Sequence, residues 1–177
     1  MRSPAGSAVV AAPAGAPQGW SALPPAGTLR AAYLHAGHII VSRDPCRVTT
    51  VLGSCVAVGL WDPAAGVGGL NHFLLPERLA NGAASPRFGN VAVRELIEGV
   101  IAAGGHRRAL QAKLFGGACV LRAFRKGGWH LGSTNVDVAR RMLREEGIPI
   151  TAEDVEGTRG RKLIFQTHDG AAWVRSL

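Results

Sequence analysis

The chain has 177 residues, 47% of them hydrophobic, which is enough for one domain with a sizeable core and too few for a two-domain enzyme. Lys and Arg outnumber Asp and Glu by 20 to 12, a formal +8 that raises nucleic acid as a partner to be tested. Three cysteines are too few for a disulfide scaffold, and their odd number suits a reducing compartment.

Residues 1–27 are rich in Ala, Gly and Pro, with Arg2 as the only charge, and carry no periodic apolar face. They are expected to form a disordered tail ahead of a single domain over 28–177. Pro4, Pro13, Pro17, Pro24 and Pro25 break up any secretory signal. No run reaches the roughly 18 apolar residues of a membrane span, so a soluble, cytoplasmic protein is expected.

From there turn residues punctuate the chain regularly. His38–Ser42 and Arg47–Leu52 read as two strands around an Asp44-Pro45 turn, and Ser54–Trp61 and Val67–Leu75 as a hairpin across Asp62–Gly66. Pro76–Phe88 reads as a surface loop or lid. Asn90 is placed to cap a helix reaching Ala103, where Val93, Leu96, Ile97, Val100 and Ile101 recur at helical spacing before Gly104 and Gly105. Ala112–Phe115 reads as a buried strand entering Gly116-Gly117, and Asn135–Glu146 as a second amphipathic helix stopped by Gly147 and Pro149. Ile150–Val155, Lys162–Thr167 and Ala172–Ser176 complete the strands. Strands outnumber helices and look hairpin-joined, which predicts an α/β or α+β domain with a mixed sheet.

The first hairpin carries a candidate site. With Asp62–Ala65 as the turn, Cys55 faces His72, and directly opposed residues share a face of the sheet with Cβ atoms about 4.5–5.5 Å apart. A neighbouring imidazolium would stabilise the Cys55 thiolate and make it a nucleophile. Gly53 and Ser54 leave the backbone accessible for an oxyanion hole, and Thr49 or Thr50 could orient the imidazole. A Cys and a His in apolar strands also fit as plain core residues, and a one-residue slip of register would separate them.

Several separated segments point further. Thr49–Val58, Gly69–Pro76, Lys113–Ala118, Leu131-Gly132 with Asn135-Val136, and Ala152–Asp154 with Gly157 and Arg159–Arg161 together closely resemble the CheD family of chemoreceptor glutamine deamidases. The resemblance runs over about Tyr33–Leu177. It implies that Cys55 is the nucleophile, His72 the base and Thr49 the third member of the set. It also implies deamidation of receptor glutamines to glutamate through a thioester, with glutamyl methyl-ester hydrolysis by the same route. The fold it implies is a layered α/β/β-type sandwich like that of deamidating toxins. No cofactor or metal is implied, and a CheC-type phosphatase is a possible partner. Asn90, Cys119 and Glu156 depart from the family pattern, Glu156 standing where a Gly is customary.

Other classes find little support. There is no Cys-x-x-Cys, His-Glu-x-x-His, Walker or Gly-x-Ser-x-Gly motif. Cys46 and Cys119 read as structural. The basic groups, including Arg140, Arg141 and Arg144, read as a solvated face or as a docking surface for acidic receptor helices, and no aromatic-interleaved strand supports nucleic acid. A non-enzymatic adaptor that binds receptors or a phosphatase is the alternative function.

Overall fold

The computed structural model describes residues 29–77, 84–120 and 130–177; the expected tail and part of the expected loop lie outside them. Among the described residues, nine strands and two α-helices follow in chain order: β1 Arg30–Tyr33, β2 His38–Ser42, β3 Cys46–Leu52, β4 Val56–Asp62, β5 Val67–His72, α1 Gly89–Ala102, β6 Gln111–Gly116, α2 Leu131–Glu145, β7 Ile150–Val155, β8 Arg161–Gln166 and β9 Ala172–Ser176. A short 3₁₀ turn, Arg107–Ala109, precedes β6.

The strands form two sheets. One has the order β2-β5-β4-β6-β7, antiparallel except for β6 and β7, and the other β1-β3-β8-β9, antiparallel except for β1 and β3. Both helices pack on one face of the five-stranded sheet, over a core that includes Val58, Phe73, Leu96, Leu114 and Leu143. Its other face meets the four-stranded sheet through Leu34, Val48, Leu52, Leu70, Phe115 and Phe165. The result is a layered α/β/β sandwich.

Being the middle layer, the five-stranded sheet has β4 and β5 buried along their whole length. That is why they read as continuous apolar runs rather than alternating ones. β3 belongs to an outer layer and alternates: Val48, Thr50 and Leu52 are buried, whereas Thr49 is half-buried and Val51 exposed.

Three expectations change. Asp44-Pro45 does not join paired strands, because β2 and β3 lie in different sheets. The chain crosses between layers there, with Asp44 O accepting from Ser42 Oγ and Thr167 Oγ1. The helix expected to start under Asn90 starts at Gly89 with no side-chain cap. The N–H groups of Gly89 and Asn90 instead donate to the Leu75 and Pro76 carbonyls just beyond β5. α2 begins one turn earlier than expected because His130 and Ser133 form a reciprocal capping box.

Candidate active site

Cys55 and His72 both face the space between the sheets, near the end of β4 and β5 remote from their connecting turn. His72 is on β5, two residues from the inter-sheet Leu70, and half-buried Cys55 packs against that same apolar cluster just ahead of β4. The hairpin register differs from the expected one. Asp62 pairs with Val67 and Leu60 with Gly69, so the loop is residues 63–66 and Cys55 lies diagonal to His72 instead of directly opposite. Asp62 sets this register: its Oδ1 accepts from the Ala64 and Ala65 N–H groups, and Gly66 takes φ 65°. A shift of two preserves the side-chain alternation, so the shared face survives; a shift of one would have lost it.

The four-stranded sheet supplies the group that meets the imidazole. Thr50 Oγ1 lies 2.9 Å from His72 Nδ1 and donates its own hydrogen to Leu34 O at 2.8 Å. The hydroxyl oxygen therefore accepts from Nδ1–H, which leaves the lone pair on Nε2. That Nε2 is buried and has no hydrogen-bond partner among the described residues. Thr49, the residue implied by the family resemblance, points the other way. It pairs with Tyr33 and Ile164 on the outward side of β3, because neighbouring residues of a strand face opposite sides.

Burial governs the protonation of the pair. It depresses the His72 imidazole to about 4, with the Leu34 carbonyl opposing the shift, and pushes the Cys55 thiol above its ordinary range, its own N–H pulling the other way. Burial thus disfavours both the thiolate and the imidazolium, because the inter-sheet space penalises either charge.

Residues 53–55 are held from behind through their carbonyls. Gly53 O accepts from Ala118 N–H and Cys55 O from Gly117 N–H, each at 2.8 Å, and Ser54 O accepts from Asn135 Nδ2 at 3.0 Å. The N–H groups of Ser54 and Cys55 donate to no other described residue. The Gly116-Gly117 turn is what permits this: Gly116 has φ 106°, and a Cβ there would lie 2.2 Å from Cys55 O. Asn135 also donates from Nδ2 to Leu74 O at 3.0 Å. Its spacing after Leu131-Gly132 was visible in the sequence, but only the fold shows which carbonyls it meets.

The remaining candidates are structural. Cys46 is fully buried in the inter-sheet core, where burial raises its thiol, and Cys119 is buried with its N–H on Gly157 O. Glu156 takes a left-handed φ of 63°, which accounts for a Gly being customary there. Its backbone is held by Gly116 O and Arg161 Nη2. Arg140 pairs with Glu153 and Arg141 with Glu77 and Glu145, so these two arginines of the expected docking face are engaged within the chain. Among the described residues, no group of three or more His, Cys, Asp or Glu side chains gathers as a metal site requires. No helix there is long and apolar enough to cross a membrane.

Four of the exposed large apolar side chains adjoin residues of this region in the chain or in space. Val51 follows Thr50, Leu75 follows Leu74, and Val120 lies 3.8 Å from where a Gly53 Cβ would be; Leu131 sits beside Gly132, whose backbone packs on Gly117.

The chain is similar to several known proteins. A family model described as CheD chemotactic sensory transduction matches residues 74–176, beginning two residues after His72. A probable chemoreceptor glutamine deamidase CheD 1 of Anaeromyxobacter dehalogenans is 57% identical over 145 residues, covering 82% of this chain and 84% of that protein. A probable chemoreceptor glutamine deamidase CheD of Sulfurimonas denitrificans is 41% identical over 143 residues, covering 81% and 92%. Among solved structures, the Bacillus licheniformis hypothetical protein YfiH overlaps with a TM-score of 0.43 at 14% identity, covering 68% of this chain and 49% of that one, a likeness too loose to bear on function. The extent of the family match and the identity to relatives along most of their length lead to one conclusion: the chain belongs to the CheD family.

Proposed function

We propose that this chain hydrolyses the side-chain carboxamide of selected glutamines in the cytoplasmic domains of methyl-accepting chemoreceptors, with Cys55 as nucleophile and His72 as base. The reading is supported by the names of its relatives. The observation that carries it is the state of His72: Nδ1 is anchored by Thr50, and Nε2 is buried, without a partner among the described residues, and on the face that Cys55 shares.

The protonation states favour a coupled transfer over a preformed ion pair. As Cys55 Sγ attacks the carboxamide carbon, His72 Nε2 takes the thiol proton, so charge appears only while the bond forms. The carbonyl oxygen becomes an oxyanion and is received by the Ser54 and Cys55 N–H groups. The imidazolium then gives its proton to the departing nitrogen, and ammonia leaves a thioester on Cys55. A water that yields a proton to Nε2 attacks the thioester, releasing glutamate and restoring the thiol. Thr50 and the Leu34 carbonyl stabilise the transient imidazolium through Nδ1–H. A glutamyl methyl ester would form the same acyl-enzyme, with methanol leaving. The reaction belongs in the cytoplasm, where the receptor domains are.

The test is to incubate the protein with a cognate receptor cytoplasmic fragment, measure ammonia, and map Gln-to-Glu conversion by peptide mass spectrometry. Conversion at discrete glutamines is expected with the wild type and none with a folded Cys55→Ala variant. Absence of conversion by the folded wild type would overturn the proposal.

A further inference from the structure

One buried side chain bridges the two halves of the site. Asn135, fully buried in the second turn of α2, donates from Nδ2 to Ser54 O and to Leu74 O, each at 3.0 Å. A carboxamide has two Nδ2 hydrogens, so the two carbonyls use both. Ser54 O belongs to the peptide group that carries the Cys55 N–H. In a trans peptide the C=O and N–H point in opposite directions, and the described residues contain no cis peptide bond. Drawing Ser54 O towards α2 therefore directs the Cys55 N–H to the opposite side. The carbonyls on either side, Gly53 O and Cys55 O, are held by backbone donors that survive any side-chain change. Among the described residues, the Ser54 carbonyl accepts from Asn135 alone.

The Asn135 Oδ1 is buried with no partner among the described residues, so the side chain's hydrogen bonding there runs through the two Nδ2 bonds. The second Nδ2 bond reaches Leu74, two residues beyond His72, so the same carboxamide ties the turn carrying the thiol to the strand carrying the base.

We propose that Asn135 is a positioning residue that fixes the Ser54–Cys55 peptide plane, so that the Cys55 N–H is presented to the oxyanion formed during acyl transfer. The inference rests on the amide-hydrolase reading above. Asn135 touches no substrate; it acts through the backbone.

Asn135→Asp keeps the shape and replaces the donor with an acceptor that repels both carbonyls; Asn135→Ala removes the group, and the pair guards against one variant failing to fold. Three readouts apply to the full chain: kcat and KM for ammonia release from a receptor fragment, the rate of Cys55 alkylation by iodoacetamide, and protection of Cys55 by butyraldehyde. This aldehyde adds reversibly to a thiol and places its oxygen where the oxyanion forms. Loss of one oxyanion donor predicts a fall in kcat of about a hundredfold with KM little changed. Alkylation, which forms no oxyanion, should stay within about threefold, while aldehyde protection weakens about tenfold. Unchanged kcat in a folded variant, or alkylation falling in step with kcat, overturns the positioning role. If the wild type releases no ammonia yet the aldehyde protects it and not the variants, the receptor substrate is wrong and the positioning role stands. Equal aldehyde protection in wild type and variants overturns the role whatever the substrate.

Discussion

At the scale of single residues, the site turns on which threonine meets the imidazole. The sequence offers two adjacent threonines, and the family resemblance selects Thr49; the strand's alternation selects Thr50, because only the residue in phase with buried Val48 and Leu52 faces the inter-sheet space. The choice was unreadable without knowing which way β3 faces. Thr50→Val should remove a hydrogen bond to a group that becomes charged, worth about 1.5–3 kcal/mol, and so lower kcat about ten- to hundredfold. It also leaves Leu34 O buried and short of a donor, at about 1–3 kcal/mol of stability. Thr50→Ser should recover most of both, and Thr49→Val should keep kcat within about twofold. Ammonia-release kinetics with thermal melts check all three, and a larger loss in Thr49→Val than in Thr50→Val would refute the assignment. The thiol gives a second test. Iodoacetamide should reach half-buried Cys55 ahead of Cys46 and Cys119. Because burial raises the Cys55 thiol, the rate should climb through the alkaline range; a plateau below pH 7 would mean a resting thiolate after all.

At the scale of elements, the hairpin shows why part of the site could be read in advance. Asp62 and Gly66 announce a turn, but which residues form it depends on Asp62 Oδ1 taking the Ala64 and Ala65 N–H groups, and that moved the pairing by two. The period of a strand is also two, so the inference that Cys55 and His72 share a face survived an error in the pairing that produced it. The support behind Cys55 was less legible. Gly116-Gly117 read as a strand-end turn, which it is, and its service to the Cys55 and Gly53 carbonyls follows from the pairing of Val56 with Gly116. Gly116→Ala should therefore be costly twice over. The residue sits at φ 106°, and its new Cβ would meet Cys55 O, so a loss of about 1–3 kcal/mol in stability and a fall in kcat of at least tenfold are expected from urea titration and ammonia kinetics. Normal activity with normal stability would mean that the turn does not hold the nucleophile.

At the scale of the whole molecule, residue patterning conveyed a strand-rich α/β domain, and its division into α/β/β layers came only from the family resemblance, which the structure bears out. The tell was in the burial pattern: β4 and β5 lack alternation because sheet and helices cover both faces, whereas β3 alternates because one of its faces looks outward. The His72 imidazole lies in the layer between the sheets, which links its protonation to global stability. His72 is held near 4 in the fold, against an ordinary value near 6.5 in the unfolded chain. Below pH 6.5 the unfolded chain binds the proton that the fold refuses. The contribution is thus fully present above pH 6.5 and is lost as pH falls towards 4, by as much as about 3 kcal/mol. Urea titrations from pH 7.5 to 4 should show this decline in the wild type and a flatter profile in His72→Asn; parallel profiles would contradict the buried neutral imidazole. The central claim, that a Cys55 thioester carries receptor deamidation, is tested most directly by acid-quenching a single turnover and measuring the intact mass of the protein. A covalent adduct at Cys55 of enzyme plus receptor fragment less ammonia, cleaved by hydroxylamine and absent in Cys55→Ala, is the expected result; Gln-to-Glu conversion that continues undiminished in Cys55→Ala would contradict it.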